Sequence, residues 1–426
     1  MKSILFLLEN NFFRGGVGIF FLITCCYLLS QDKKNISWRL VLTGIIIQLI
    51  IAVGVFKFGF ITAFFEYISS LFIQLLEFTK SGAEFLFGSK LVNDNTFGAQ
   101  FAFQILPTIV FFSALTSVLF YLGVLQKVVY FFAKIMKKIM GLSGSESLAA
   151  TGNIFLGQTE SPLLVKPYIH KFTNSELLCL MGGGMATIAG GVFIAFIQML
   201  GQEYATHLLT ASIMSAPAAI VACKILVPET GNPSQEMKIP NQSFGTNIFD
   251  AITLGTVQGV KLAVNVGAMI LVFIAFIALI NAILGFLGDQ TGLNSMVASN
   301  TIYDKLSLEM IFGYIFSPIV YLMGVPFEDM ILSGQLLGEK TVANEFIAYD
   351  SLSTMIENNS LSEKSRIMAT YFLCGFANFL SIGIQVGGIS VLAPNKRKNL
   401  AKLGIKALIA GTVASLMTAV MAGMLI

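Results

Sequence analysis

Asn153-Ile-Phe-Leu-Gly-Gln-Thr-Glu-Ser-Pro-Leu163 is a polar stretch that carries an acid, Glu160, between two apolar arms. A second stretch repeats the design: Gly338-Glu-Lys-Thr-Val-Ala-Asn-Glu-Phe-Ile-Ala-Tyr349, with Glu345 in its second half. Each is followed by a run interrupted by glycine and small polar residues. The first run is Met181-Gly-Gly-Gly-Met-Ala-Thr-Ile-Ala-Gly-Gly-Val192, and the second is Leu373-Cys-Gly-Phe-Ala-Asn-Phe-Leu-Ser-Ile-Gly383. The arms are shorter than the ~20 apolar residues that a bilayer crossing takes. Residues 146–172 and 325–352 therefore read as re-entrant hairpins. Non-helical backbone at membrane depth is tolerated only where it is buried in protein or lines a wet cavity.

The rest of the chain is consistent with a membrane setting. Of 426 residues, 55% are hydrophobic and only 12% charged, where a soluble domain carries about twice that charge fraction. Mean hydropathy is +0.80. Phe (38) and Gly (39) are abundant, as suits closely packed apolar helices. Candidate spans are 12–30, 40–57, 105–125, 176–200, 206–226, 255–287, 367–392 and 403–425. The first is read as retained, since no small-residue cleavage site follows an early apolar core. Stretches 60–97, 126–140 and 306–323 mix charge with apolar residues and read as interfacial helices. The hydrophilic stretch 227–247 reads as a linker between two halves. Basic clusters at Lys33, Lys34 and Arg39, at Lys127, Lys134, Lys137 and Lys138, and at Lys396, Arg397, Lys398 and Lys402 all fall on one side if both termini are outside.

The expected fold is thus an all-α polytopic membrane protein of about eight transmembrane helices, with interfacial helices and two re-entrant hairpins. Three spans separate the hairpins, so they enter from opposite faces as an inverted repeat. Such folds hold cargo and ions near the midplane, at hairpin tips and broken helices.

Intramembrane acids are functional by default, which singles out Glu160 and Glu345. The purely structural alternative is a salt bridge or hairpin cap, with Lys340 or Lys166 as the nearest bases. Gln158 and Thr159 adjoin Glu160, while Asn378 and Ser381 lie one turn apart; all donate and accept, as an uncharged, hydrogen-bond-rich cargo requires. Phe376 and Val192 offer apolar contact, or simply packing. Asn153 and Thr187 are candidate sodium ligands, with unwinding near Thr187 made plausible by Gly182–Gly184 and Gly190–Gly191. Five cysteines in apolar runs and two distant histidines suggest neither a disulfide nor a metal centre. There is no phosphate-binding Gly-Lys-Ser/Thr motif and no Ser-His-Asp arrangement. The basic clusters are topology determinants and do not point to nucleic acid.

The motifs Gly157-Gln158-Thr159-Glu160-Ser161-Pro162-Leu163, Thr187-Ile188-Ala189-Gly190, Asn344-Glu345-Phe346 with Ala348-Tyr349, and Cys374-Gly375-Phe376-Ala377-Asn378 closely resemble the concentrative nucleoside transporter family. Phe85-Leu86-Phe87-Gly88 also looks like it, and the likeness runs from about residue 80 to the C-terminus. The resemblance implies a homotrimer in the lipid bilayer of a bacterial inner membrane, working by an elevator mechanism. Scaffold parts would be 1–125 and 241–305, and the transport-domain halves 126–240 and 306–426. Carried over by motif, Gln158, Thr159 and Glu160 would contact the nucleobase, with Val192 and Leu262 beside it. Glu345, Asn378 and Ser381 would hold the ribose, with Phe376 nearby. Sodium would be bound by side chains of Asn153 and Thr187 and by carbonyls of Leu156 and Ile188. The expected activity is sodium-coupled import of a nucleoside such as uridine, with no cofactor beyond the coupling ion. The alternatives are proton coupling and, from a different class, a membrane-embedded enzyme using the two acids.

Overall fold

The computed structural model describes residues 10–93, 101–239 and 245–426, and among them the chain is helical with no strand. Parts of two stretches read from sequence, 94–97 and 240–244, lie outside the described residues. Helices α1 (Asn11–Leu28) and α2 (Trp38–Lys57) are joined through a single 3-10 turn. Asp32 caps that turn by accepting from the Lys34 N–H at 3.1 Å. Next comes α3 (Gly59–Phe87), one unbroken helix of 29 residues where the sequence predicts several amphipathic pieces. The charges do not break it because they share its outer side. Glu66, Glu77 and Lys80 are exposed, while Ser69, Leu76, Thr79 and Ala83 form a buried stripe at helical spacing. Helix α4 (Leu106–Tyr121) starts on Pro107, and the left-handed Gly123 (φ 72°) separates it from α5 (Val124–Met140). That helix buries Leu125, Val129, Ala133 and Met140 and exposes Lys127, Lys134 and Lys138, the amphipathic pattern read from the sequence.

The first hairpin is α6 (Gly144–Phe155), a turn through 156–160, and two single-turn helices, Ser161–Leu164 and Lys166–Ile169. Helices α7 (Asn174–Ala186) and α8 (Gly190–Leu200) are one run broken at 187–189. After α9 (Ala205–Leu226) comes α10 (Ile248–Thr291), whose 44 residues exceed the predicted 255–287 at both ends. At 1.5 Å per residue it is about 66 Å long, twice the ~30 Å hydrocarbon thickness. Helix α11 (Leu308–Leu322) has 15 residues, too short to span, in keeping with its reading as interfacial. The second hairpin is α12 (Met330–Val342) and α13 (Glu345–Glu357), and the last elements are α14 (Glu363–Leu373), α15 (Phe379–Leu392) and α16 (Arg397–Gly423).

By length and hydropathy, eight helical stretches among the described residues are able to cross a membrane. Seven match those read from sequence. The eighth is α3, and the predicted span 367–392 drops out because it is two helices separated by 374–378. The break has a local cause. Gly375 has φ 131°, which few side-chain-bearing residues adopt, and Asn378 restarts the helix as an N-cap, accepting from the Ser381 N–H. A Cβ at Gly375 would lie 2.6 Å from the carbonyl oxygen of Ala186, the last residue of α7. The two broken runs therefore touch at their breaks, which is what an inverted repeat needs to build one shared site.

Burial separates two kinds of helix. In the α7–α8, α9 and α16 stretches 83%, 89% and 78% of the apolar window is buried, against 6% in α10. The first group forms the core around the hairpins. The long helix packs chiefly on α4, and Asn281 ties it to α11 by donating to Glu309 at 2.9 Å. Gly255 and Gly259 lie against α4; a Cβ would come within 2.5 Å of Ser117 Oγ at the first and 2.8 Å of Val110 Cα at the second. Replacing Gly259 with Leu is expected to separate these helices and sharply lower the yield of monodisperse protein, whereas Gly267→Ala, opposite only the flexible Leu106 tip, should be tolerated. Size-exclusion profiles in detergent check the pair.

Candidate functional site

The hairpin tips and helix breaks converge on a cavity of about 400 Å³, a size within the usual range for small-molecule pockets. All nine residues singled out for cargo line it. Gln158, Thr159 and Glu160 come from the first tip and Val192 from the first turn of α8. Glu345 comes from the start of α13, while Phe376, Asn378 and Ser381 come from the second broken run. Leu262 faces them from α10. One wall is thus the long outer helix and the others are the buried core.

Each acid is held by its own local structure. Glu160 Oε2 accepts from the Gly157 N–H at 2.8 Å, so the carboxylate closes the tip turn it belongs to. Asn344 N-caps α13, and Glu345 follows as its first residue, where the positive helix end favours a carboxylate. Asn378 Nδ2 donates to Glu345 Oε2 at 2.8 Å, while Asn378 Oδ1 accepts from the Ser381 N–H at 2.9 Å. One cap thereby restarts α15 and aims an amide at the acid of the second hairpin.

Neither acid is tied up in a salt bridge. Lys340, fully buried, donates to the Phe372 carbonyl at 2.7 Å and to Ser415 Oγ at 3.0 Å, and Lys166 is exposed. Among the described residues the ion pairs are those of Lys224, with Glu146 at 2.6 Å and Glu229 at 3.6 Å. They fasten the foot of the first hairpin to α9 and the linker, away from the cavity. This removes the structural alternative of a salt bridge for Glu160 and Glu345.

The candidate cation residues sit behind the first tip. Asn153 is fully buried and its Nδ2 donates to the Leu180 carbonyl at 3.2 Å. Its Oδ1 accepts from no donor among the described residues. Thr187 spends its hydroxyl proton on the Gly183 carbonyl at 2.9 Å, leaving its oxygen lone pairs unused by that bond. A Cβ at Gly183 would be 2.6 Å from Asn153 Nδ2, so the absence of a side chain there is what lets Asn153 approach. Leu156 and Ile188, both buried, stand at the two breaks, next to the first tip and Thr187. Two side chains that turn their hydrogens toward α7 carbonyls and keep bare oxygens suit a hard cation, which takes oxygen ligands.

Several lining residues escaped the sequence reading. Gln258, Lys261 and Asn265 line the cavity from α10. Their spacing of three and four residues puts them on one face of an apolar helix, a signal that could have found them. Gln385 of α15 lies just behind the lining: its Nε2 donates to Gln158 Oε1 at 2.9 Å and to the Met181 carbonyl at 3.0 Å. No spacing rule links 158 to 385.

A family model described as the Na+ dependent nucleoside transporter C-terminus matches residues 207–423. The chain belongs to the concentrative nucleoside transporter family. Models described as the N-terminus of the same transporters and as nucleoside recognition match residues 17–90 and 102–203. An uncharacterized transporter of Bacillus subtilis, YutK, is 39% identical over 98% of this chain and 100% of its own length. Solute carrier family 28 member 3 of Rattus norvegicus is 39% identical over 96% of this chain, which spans 58% of that longer protein. A solved structure of CNTnw in an inward-facing substrate-bound state matches with a TM-score of 0.89 at 37% identity, covering 97% of both chains. A doubly substituted form of CNTnw in an outward-facing state matches with the same TM-score at 36% identity and the same coverage. The family's structures thus include both faces of an alternating-access cycle. Its members are transporters, so the enzyme reading of the two acids falls away.

Proposed function

We propose that this protein imports nucleosides, uridine among them, by sodium symport across a bacterial inner membrane. The observation that carries this reading is the convergence of two carboxylates from opposite hairpins on one cavity, with bare buried oxygens of Asn153 and Thr187 behind it. Glu345, Asn378 and Ser381 hold the ribose hydroxyls, with Phe376 packed beside them. Gln158, Thr159 and Glu160 face the base, with Val192 and Leu262 along its sides. Sodium is taken by Asn153, Thr187 and the carbonyls of Leu156 and Ile188.

The contrast in burial supports a two-part machine. The hairpins, α7–α9 and α13–α16 move as a transport domain, while α1–α4 and α10 stay as scaffold, in an elevator motion. An apolar α10 with only 6% of its window buried within one chain supports a homotrimer, in which the scaffold faces other copies. The basic loops support an orientation with both termini outside.

Proteoliposomes with labelled uridine test the reading. Accumulation is expected with an inward sodium gradient and not with choline in its place. Uptake driven equally well by a pH gradient in choline would make the proton the coupling ion.

A further inference from the structure

We propose that Gln385 is a positioning residue that fixes which face of the Gln158 amide the cargo meets, and so sets the base preference of the transporter. This rests on the reading above in which Gln158 contacts the nucleobase. The chain of bonds has one direction. The Met181 carbonyl can only accept, so the Gln385 atom 3.0 Å from it is the amide nitrogen. That nitrogen has a second hydrogen, and the Gln158 atom 2.9 Å away accepts it, so this atom is the Gln158 oxygen. The remaining Gln158 atom is the NH2 group. One of its hydrogens points to Ser381 Oγ at 3.3 Å. Its second hydrogen is left for the cavity that Gln158 lines.

A backbone carbonyl of α7 therefore dictates, through Gln385, that Gln158 offers the cargo a donor and not an acceptor. The neighbourhood leaves the pair little freedom. A Cβ at Gly184 would come within 2.8 Å of Gln385 Nε2 and 3.0 Å of Gln158 Cβ, so both side chains are packed against a bare stretch of α7. Gln385 is 1% exposed and its Oε1 accepts from no donor among the described residues. Keeping an unpaired acceptor buried is costly, and an apolar side chain would avoid that cost. What the glutamine supplies in return is the orientation of its neighbour.

A fixed donor favours bases with a carbonyl at the contacted edge over bases with an amino group there. Two pairs isolate this difference: uridine with cytidine, and inosine with adenosine. Binding constants for all four would be measured by calorimetry on the purified protein in saturating sodium, for wild type, Gln385→Met, Gln385→Glu and Gln158→Met. The second Gln385 variant keeps the side-chain shape in case the first disturbs folding. Wild type is expected to favour the carbonyl member of at least one pair. The Gln385 variants should bring that ratio toward one, by on the order of tenfold, because Gln158 can then turn over and offer its oxygen. Apparent sodium affinity should stay put, which general damage to the fold would not allow. A wild-type preference for the amino member, no preference in either pair, or a preference that survives in Gln385→Glu overturns the inference. If Gln158→Met also leaves every ratio unchanged, the placement of the base at Gln158 fails with it, whereas a change confined to Gln158→Met rejects the role of Gln385 alone.

Discussion

Glu345→Gln is expected to lower sodium-driven nucleoside uptake by about a hundredfold while leaving the protein folded and membrane-inserted. The substitution keeps the side-chain shape and one oxygen for Asn378 Nδ2, which now donates to Glu345 Oε2 at 2.8 Å. The amide must turn its oxygen toward Asn378, so its NH2 group takes the place of the second carboxylate oxygen. A vicinal diol then loses a charged acceptor. Hydrogen bonds to ionised groups contribute about 1.5–3 kcal/mol, and one or two such bonds account for roughly two decades in affinity. Glu160→Gln should cost less, on the order of tenfold. Glu160 is only half-buried, and the Gly157 N–H at 2.8 Å can still donate to an amide oxygen. Uptake rates and calorimetric uridine affinities for the two variants, with melting temperature as the control for folding, would decide. Wild-type uptake in Glu345→Gln would undo the assignment of the ribose contact.

The path to these residues from sequence was short for some and closed for others. The hairpins were legible because a polar, acid-bearing stretch between short apolar arms cannot be a span, and the same pattern occurs twice. Hydropathy also placed most of the helices, since a 20-residue apolar run has few other uses. It says less about α3 and 367–392 for one reason: hydropathy sums composition and is blind to continuity. The charges of α3 share an exposed side and leave it unbroken. Cys374–Asn378 contains no proline and only one glycine, yet Gly375 packs against the Ala186 carbonyl and leaves the helix. That contact joins residues far apart in the chain, as does the bond from Gln385 to Gln158. Likewise, Glu160 and Glu345 could be named from their setting, but assigning one to the base and the other to the ribose came from the family resemblance.

Loss of sodium dependence is the second large effect expected. Asn153→Ala should raise the sodium concentration for half-maximal uptake by tenfold or more, on the order of one or two lost oxygen contacts to a hard cation. The substitution removes an oxygen that accepts from no donor among the described residues, so no protein donor loses its partner. It also removes the donor to the Leu180 carbonyl, and that loss acts on stability. Thr187 separates the two contributions. Thr187→Val keeps the shape and deletes the oxygen, and should mimic Asn153→Ala. Thr187→Ser retains a hydroxyl able to donate to the Gly183 carbonyl, now at 2.9 Å, and should keep the wild-type sodium response. Linkage adds a sharper requirement. If sodium and nucleoside bind cooperatively, each must raise the affinity of the other by the same factor. In Thr187→Val and Asn153→Ala that factor should fall toward one in both directions, seen as uridine affinity that no longer responds to sodium. A variant that needs far more sodium yet keeps the full factor would place the ion elsewhere and leave Asn153 with a packing role against Gly183.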